Sequence, residues 1–131
     1  MMIADTDVLI DFLSDKNPVA ARIALELERA ALQTTVVTRF ELLAGARTHR
    51  QERMIAELLA ALPTLPLDAA AADRAAGVRR TLEKKGQAIG MGDSLIAGIV
   101  LVHRGTLLTR NRDHFQRVPE LKLGTLTLSE G

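Results

Sequence analysis

The segment Met1-Met2-Ile3-Ala4-Asp5-Thr6-Asp7-Val8-Leu9-Ile10-Asp11 decides the fold. Its first residues form a short apolar run that ends in an acid, a pattern that predicts a buried first strand. From residue 7 to residue 13 the apolar side chains recur at helical spacing, so a helix is expected close behind the strand. Asp5 then ends a strand and, by its position, has no helix to cap directly. We interpret it as a functional acid.

Outward from this segment, the chain alternates helices with strands. The predicted helices cover residues 18–32, 38–45, 48–62, 68–85 and 93–103, and the predicted strands cover residues 34–37, 106–109 and 123–128, with a short extended stretch at 63–67. Strands that alternate with helices need crossover connections, which favour a parallel sheet covered on both faces. We therefore predict an α/β protein, one three-layer α/β/α domain over residues 1–131 with a mostly parallel central sheet.

The composition excludes several classes of protein. The 131 residues carry a net charge of +1 and contain no cysteine, so neither disulfides nor thiolate metal sites are possible. Tyr and Trp are absent, which argues against a nucleic-acid reader built on aromatic stacking. The longest apolar stretch, residues 96–102, is far too short to span a membrane. The N-terminus lacks the pattern of a signal peptide, so we expect a cytoplasmic protein without membrane association.

Three carboxylates follow predicted structural breaks. Asp5 ends the first strand, Glu41 lies one helical turn after the second, and Asp93 opens the helix that precedes the next. In a parallel sheet, functional groups collect where the strands end, so these acids are expected to gather at one edge. Crowded carboxylates repel one another unless protons or a cation compensate. An all-oxygen set of ligands suits Mg²⁺ or Mn²⁺.

Each acid also has a structural interpretation, which the sequence leaves open. Thr38 and Glu41 have the spacing of a capping box, in which the glutamate bonds back to the start of its own helix. Asp93, directly after Gly92, is a good helix N-cap. Asp5 and Asp7 fit a turn between the first strand and its helix. Taken singly, these interpretations are at least as common as the functional one. Three such acids after three successive breaks together favour a shared site.

Four motifs in this order resemble the PIN-domain family and, within it, the VapC toxins of toxin–antitoxin pairs. They are Asp5-Thr6-Asp7-Val8-Leu9-Ile10-Asp11, Glu41-Leu42-Leu43-Ala44-Gly45, Gly92-Asp93-Ser94-Leu95-Ile96-Ala97 and Thr109-Arg110-Asn111-Arg112-Asp113-His114-Phe115. The resemblance covers nearly the whole chain, from residue 1 to about residue 128. It implies an endoribonuclease with a PIN-like fold whose acidic pocket binds Mg²⁺ or Mn²⁺.

The resemblance also assigns roles to individual residues. It implies that Asp5, Glu41 and Asp93 are catalytic metal ligands, with Asp5 and Asp93 the firmest. Asn111 and Asp113 compete for a fourth catalytic position, and we favour Asp113. His114 departs from the family, because an acid is frequent just before the phenylalanine. The remaining assignments are to substrate binding, with pocket hydroxyls from Thr6 and Thr109 and phosphate contacts from Arg110 and Arg112, although these arginines also fit a plain solvated surface.

The implied reaction is hydrolysis of an RNA phosphodiester with metal-bound water as the attacking group. The implied partners are the RNA substrate, a VapB-like antitoxin that masks the acidic pocket, and a second copy of the chain in a homodimer. The apolar sides of residues 18–32 and 55–62 are ambiguous between core and interface.

Three alternative functions remain. A haloacid-dehalogenase-type phosphatase matches Asp5-Thr6-Asp7-Val8, but Ala97 stands where its late motif requires a second acid. A phospho-receiver domain requires a lysine that Thr109-Arg110-Asn111 does not provide. A PIN-like scaffold that binds RNA or protein without cutting is the non-enzymatic alternative, and the presence of all three main acids argues against it.

Overall fold

The computed structural model describes residues 1–128, and within them the chain forms five strands and seven helices. The strands are β1 (Met2–Ala4), β2 (Leu32–Thr35), β3 (Thr64–Leu65), β4 (Thr106–Leu108) and β5 (Lys122–Leu123). The helices are α1 (Thr6–Leu13), α2 (Val19–Glu28), α3 (Val36–Gly45), α4 (His49–Ala60), α5 (Ala69–Lys84), α6 (Met91–His103) and α7 (Arg112–Phe115). None of these helices is long and apolar enough to cross a membrane.

The strands form one parallel sheet in the order β3-β2-β1-β4-β5. The strand that opens the chain lies at its centre, where Ile3 pairs with Gln33 on one side and Leu107 on the other. Because every strand pair is parallel, all carboxyl ends lie along the same edge. The prediction of a mostly parallel α/β sheet is therefore confirmed.

Apolar side chains cover both faces of the sheet and produce the three layers. Ile3 and Leu107 belong to a core cluster with α5 and α6, whereas their neighbours Ala4 and Leu108 belong to a second cluster with α1, α2 and α4. This alternation follows from the two-residue period of a strand. Seven apolar residues from the two ranges whose location was ambiguous, 18–32 and 55–62, are buried in the second cluster: Val19, Ile23, Leu32, Ile55, Leu58, Leu59 and Leu62.

The structure corrects the predicted boundary between β2 and α3. The β-branched run of residues 34–37 predicted strand, but β2 starts earlier, at Leu32, and Val36 already opens α3. The reason is a helix cap: Thr35 Oγ1 accepts a hydrogen bond from the backbone N–H of Thr38 at 3.1 Å. Thr38 is therefore not the cap of this helix, and the capping-box interpretation of Glu41 is wrong.

The last strand is also shorter than predicted. Residues 123–128 alternate like a strand, yet β5 ends at Leu123. Beyond it, the carbonyl of Gly124 accepts a hydrogen bond from Arg112 Nη1 at 2.8 Å and that of Thr125 accepts one from Arg22 Nε at 3.0 Å. Side chains thus satisfy these two carbonyls, while the N–H of Gly124 still donates to the carbonyl of Leu107 in β4 at 2.9 Å.

Helices α5 and α6 pack closely against each other. The contact depends on Gly98, because a Cβ atom built there would lie 2.5 Å from the carbonyl oxygen of Ala71 and 2.7 Å from Cβ of Ala75. Asp68 caps α5 as predicted, with its side chain accepting from the N–H of Ala71 at 2.9 Å. Because Asp93 lies in the first turn of α6, this close packing helps to position it.

Candidate metal-dependent active site

The predicted acids occupy the carboxyl edge of the sheet. Asp5 directly follows β1, Thr109 directly follows β4, and α3, which carries Glu41, starts directly after β2. Asp93 comes to the same place on the first turn of α6. A single polar cluster therefore forms from residues that follow three of the strands and from the first turn of α6.

Asp5 is the most buried acid of this cluster, with 5% of its surface exposed. Its Oδ1 accepts a hydrogen bond from the N–H of Thr6 at 2.8 Å, and its Oδ2 accepts one from Oγ1 of Thr109 at 2.7 Å. The first bond makes Asp5 the N-cap of α1, so the expectation that Asp5 has no helix to cap is wrong. One oxygen serves the helix and the other faces the strand end at Thr109.

Glu41 is held against the same helix start. Oγ1 of Thr6 donates a hydrogen bond to Glu41 Oε1 at 2.6 Å, and Oγ1 of Thr38 lies 3.0 Å from Oγ1 of Thr6. The other oxygen, Oε2, points towards α6, since a Cβ atom on Gly92 would lie 3.6 Å from it. Glu41 therefore lies between the segments that carry Asp5 and Asp93.

Asp93 is the third residue of α6, and Gly90 is the cap of that helix, so the N-cap interpretation of Asp93 is wrong. An acid in the first turn still interacts favourably with the helix dipole. Its Oδ2 accepts a hydrogen bond from Asn111 Nδ2 at 3.0 Å and lies 3.3 Å from His114 Nδ1. The last motif thus reaches Asp93 through Asn111 and His114.

Asp113, which we favoured for the fourth catalytic position, lies elsewhere. Its side chain is exposed, and its one hydrogen bond among residues 1–128 comes from Gln116 Nε2 at 3.5 Å. Asn111, the other candidate, contacts Asp93 instead. The structure therefore brings Asn111 into the cluster and leaves Asp113 on the surface of α7.

The two arginines proposed for phosphate binding are engaged within the protein. Arg110 forms a two-pronged contact with Asp11, with Nε 2.6 Å from Oδ2 and Nη2 3.3 Å from Oδ1. Arg112 donates to the carbonyl of Gly124. Neither guanidinium group is directed at the acidic cluster in this arrangement.

Sequence reasoning missed two further acids. Asp7 Oδ2 accepts a hydrogen bond from the N–H of Arg110 at 3.0 Å, while its Oδ1 is buried and has no partner among residues 1–128. Asp11 lies one turn further along α1 and is almost fully buried. The spacing of Asp7 and Asp11 places both on one helix face, which was a usable signal. Their partner at Arg110 is about a hundred residues away, which the sequence does not reveal.

Two of the acids, Asp5 and Asp7, have raised pKa values, chiefly because they are buried. Burial raises the pKa of Asp5 from 3.8 to about 7, the hydrogen bond from Thr109 opposes this, and the charges of Asp7 and Asp93 add to it. Burial also raises the pKa of Asp7, against the hydrogen bond and charge of Arg110. A cation that binds here would relieve both the desolvation and the repulsion.

Few oxygen atoms of the cluster are available to bind such a cation. Within residues 1–128, Glu41 Oε2 and Asp93 Oδ1 accept no protein hydrogen bond, and Asp7 Oδ1 is the unpartnered buried oxygen. In the same residues, no three acidic or histidine side chains converge into a complete metal-binding group. Mg²⁺ typically takes one or two carboxylates and fills its shell with water and substrate phosphate, so oxygen donors in this number suit it.

Comparisons with known proteins identify the family of the chain. The sequence model of the PIN domain matches residues 2–121. The "Ribonuclease VapC10" of Mycobacterium tuberculosis is 36% identical over 124 residues, which cover 93% of this chain and 91% of the relative. The "tRNA(fMet)-specific endonuclease VapC" of Shigella flexneri is 30% identical over 122 residues, covering 90% of this chain and 92% of the relative.

A solved structure has the same fold. It is described as a toxin–antitoxin complex from Klebsiella pneumoniae, and its matching chain superimposes with a TM-score of 0.76 at 25% identity, covering 96% of this chain and 98% of the other. The chain belongs to the PIN-domain family and, within it, to the VapC-type proteins.

Proposed function

We propose that this protein is a divalent-metal-dependent endoribonuclease toxin that hydrolyses RNA phosphodiester bonds. The observation that carries the proposal is the gathering of Asp5, Glu41 and Asp93 at one edge of the sheet, two of them linked through Thr6 at the start of α1. Kinship with proteins named as ribonucleases and RNA endonucleases supports the choice of substrate.

In this proposal the protein's own residues hold and orient the acids. Asp5 and Asp93 would be the carboxylate ligands of Mg²⁺ or Mn²⁺, and Glu41 would bind the ion directly or through water; Thr109 orients Asp5, and Thr6 orients Glu41. When bound, the metal supplies a lowered pKa for water and offsets charge on the phosphate oxygens. The amide of Asn111 orients Asp93, and we give it, not Asp113, the fourth position.

Substrate RNA has an approach from the side of Glu41. An open groove of about 510 Å³ starts at Glu41 and runs between α1 and α4, where Arg50 and Gln51 line it beside the apolar Ile10 and Met54. With Arg110 and Arg112 engaged elsewhere, Arg50 is the cation that this groove offers to a phosphate. Its contribution should weaken as salt rises.

The partner proposals follow from the same surfaces. We propose that a VapB-like antitoxin covers this groove and masks the acids, as the resemblance implies, and that a second copy of the chain forms a homodimer. Phe40 and Met91, on the neighbouring helices α3 and α6, are 70% and 67% exposed and provide apolar surface for an interface. Because the substrate is RNA, we place the activity in the cytoplasm.

The test is cleavage of total cellular RNA by the purified, antitoxin-free protein in Mg²⁺ or Mn²⁺, with EDTA and Asp93→Asn alongside. Asp73→Asn is the matched control, since Asp73 is an exposed acid on α5. We expect metal-dependent cutting that EDTA and Asp93→Asn abolish and Asp73→Asn preserves. A folded protein that binds RNA but never cuts it would favour the non-catalytic scaffold, and hydrolysis of phosphomonoesters alone would favour the phosphatase.

A further inference from the structure

We propose that Asp11 and Arg110 form a positioning clamp that fixes residues 109–111 and thereby sets the geometry of Asp5 and Asp93. Neither residue of the clamp needs to touch the RNA or the metal. The catalytic part of this inference rests on the proposed function, whereas its structural part does not.

Arg110 is held at two points, through its side chain and through its backbone N–H. The guanidinium of Arg110 contacts both carboxylate oxygens of Asp11, at 2.6 Å and 3.3 Å. The backbone N–H of Arg110 donates a hydrogen bond to Asp7 Oδ2 at 3.0 Å. A fork of this kind fixes orientation as well as distance. The side chain of Asp11 is 8% exposed and that of Arg110 is 51% exposed, so water and salt screen the carboxylate less than they screen the partners of a surface pair. Arg110 is thereby attached to two successive turns of α1.

The residues on either side of Arg110 carry this attachment to the acids. Thr109 Oγ1 accepts a hydrogen bond from the N–H of Asn111 at 3.0 Å and donates one to Asp5 Oδ2 at 2.7 Å. The side chain of Asn111 donates to Asp93 Oδ2 at 3.0 Å. A shift of Arg110 would therefore move the hydrogen-bond partners of both Asp5 and Asp93.

Electrostatics argues against a phosphate-binding role for Arg110. To bind a phosphate through the Nε and Nη2 edge that now faces Asp11, the guanidinium would have to leave that carboxylate, which is nearly buried and would lose its counterion. An unpaired buried charge is strongly unfavourable. The geometry thus assigns Arg110 to holding the loop, in contrast to the phosphate contact that the resemblance implied.

The experiment compares Asp11→Asn, Arg110→Lys and the double variant with wild type. Arg110→Lys keeps the charge and removes the fork, so the fold should survive. The control is Arg79→Lys, which alters another arginine–carboxylate pair, that with Glu83 on the surface of α5. Three readouts are taken: amide hydrogen exchange of residues 109–111, Mn²⁺ affinity from the electron paramagnetic resonance of free Mn²⁺, and kcat and KM for RNA cleavage.

We expect faster exchange in residues 109–111 of both single variants, with unchanged protection in β1 and β4. Mn²⁺ affinity and kcat should each fall roughly 10-fold, the usual scale for removing an outer-shell partner, while KM stays near wild type. The double variant should lose no more than either single variant, because the two residues act as one unit. The control should match wild type in all three readouts.

Two results would overturn the clamp. Exchange and Mn²⁺ affinity like wild type, with KM for RNA raised in Arg110→Lys, would make Arg110 a substrate contact. Unchanged exchange in every variant would show that the pair fixes nothing. A wild-type protein that does not cut RNA would refute the proposed function, and hydrogen exchange would still decide the clamp.

Discussion

The carboxyl edge of the sheet and the contact between α5 and α6 have opposite effects on the stability of the fold. At the edge, buried acids crowd together, the pKa of Asp5 is raised to about 7, and Asp7 retains a buried oxygen without a partner in the described chain. At the helix contact, Gly98 lets two backbones approach so closely that a Cβ atom does not fit. The first region lowers stability in the absence of a cation, whereas the second supplies stability. Such a contrast is expected in a protein whose functional site crowds charged groups together, because the cost in stability must be offset by close packing in another region.

The largest effect should follow from removing one charge at the edge. We expect Asp5→Asn to reduce RNA cleavage roughly 100- to 1,000-fold, the scale of losing a strong electrostatic contact to a transition state. Without metal, the same variant should be at least as stable as wild type near pH 8, since asparagine is as good an N-cap and carries no buried charge. Cleavage rates and chemical denaturation in EDTA measure the two changes. Full activity would refute the role of Asp5, and a large loss of stability would refute the comparison.

The opposite outcome is expected at the helix contact. Gly98→Ala should destabilise the protein by about 3 kcal/mol, because the added methyl group meets the carbonyl oxygen of Ala71 at 2.5 Å. Gly77→Ala is the matched control on α5, where a Cβ atom meets nothing within 4 Å, and should stabilise by about 0.5–1 kcal/mol. Urea denaturation measures both, and activity per folded molecule should be unchanged in each. Equal stability of the two variants would contradict the close packing.

A smaller effect should separate Asn111 from Asp113. Asn111→Ala removes the hydrogen bond to Asp93 and should lower cleavage by roughly 10-fold. Asp113→Ala changes an exposed side chain that bonds only to Gln116 within residues 1–128, and cleavage should stay near wild type. Single-turnover kinetics on one RNA at saturating metal compares them. The reverse order would restore Asp113 to the fourth position.

The smallest effect is a pH dependence of stability in the metal-free protein. The folded-state pKa of Asp5, about 7, exceeds its ordinary value of 3.8, so the folded state binds the extra proton. The contribution of Asp5 to stability is therefore fully present below its ordinary pKa and is lost as pH rises through about 7. We expect the melting temperature in EDTA to be a few degrees lower near pH 8 than near pH 5.5, and Asp5→Asn to reduce this difference. A melting temperature that rises over this range would contradict the raised pKa.

Much of this architecture could be predicted from sequence because its signals are local. The apolar run before Asp5 and the helix–strand alternation identify a parallel sheet, and acids that follow strand ends must then meet at one edge. The start of α3 was predicted wrongly because a β-branched run favoured strand while the hydroxyl of Thr35 capped a helix. Local propensity is weak when a cap competes with it.

The sequence did not predict the long-range contacts. The pairing of Arg110 with Asp11 joins residues far apart in sequence, and no spacing rule reports it. The choice between Asn111 and Asp113 depends on the turn between β4 and α7, which directs one side chain towards Asp93 and the other towards solvent. Residue types at the site were therefore predictable, but the partner of each was not.

The central claim is that the acidic edge is a metal centre, and Mn²⁺ binding tests it most directly. Mn²⁺ would be titrated into wild type, Asp5→Asn and Asp73→Asn, with the free ion followed by electron paramagnetic resonance. We predict saturable binding by wild type and Asp73→Asn, and binding by Asp5→Asn that is at least about 10-fold weaker. Equal binding by all three proteins, or no binding by wild type, would contradict the account.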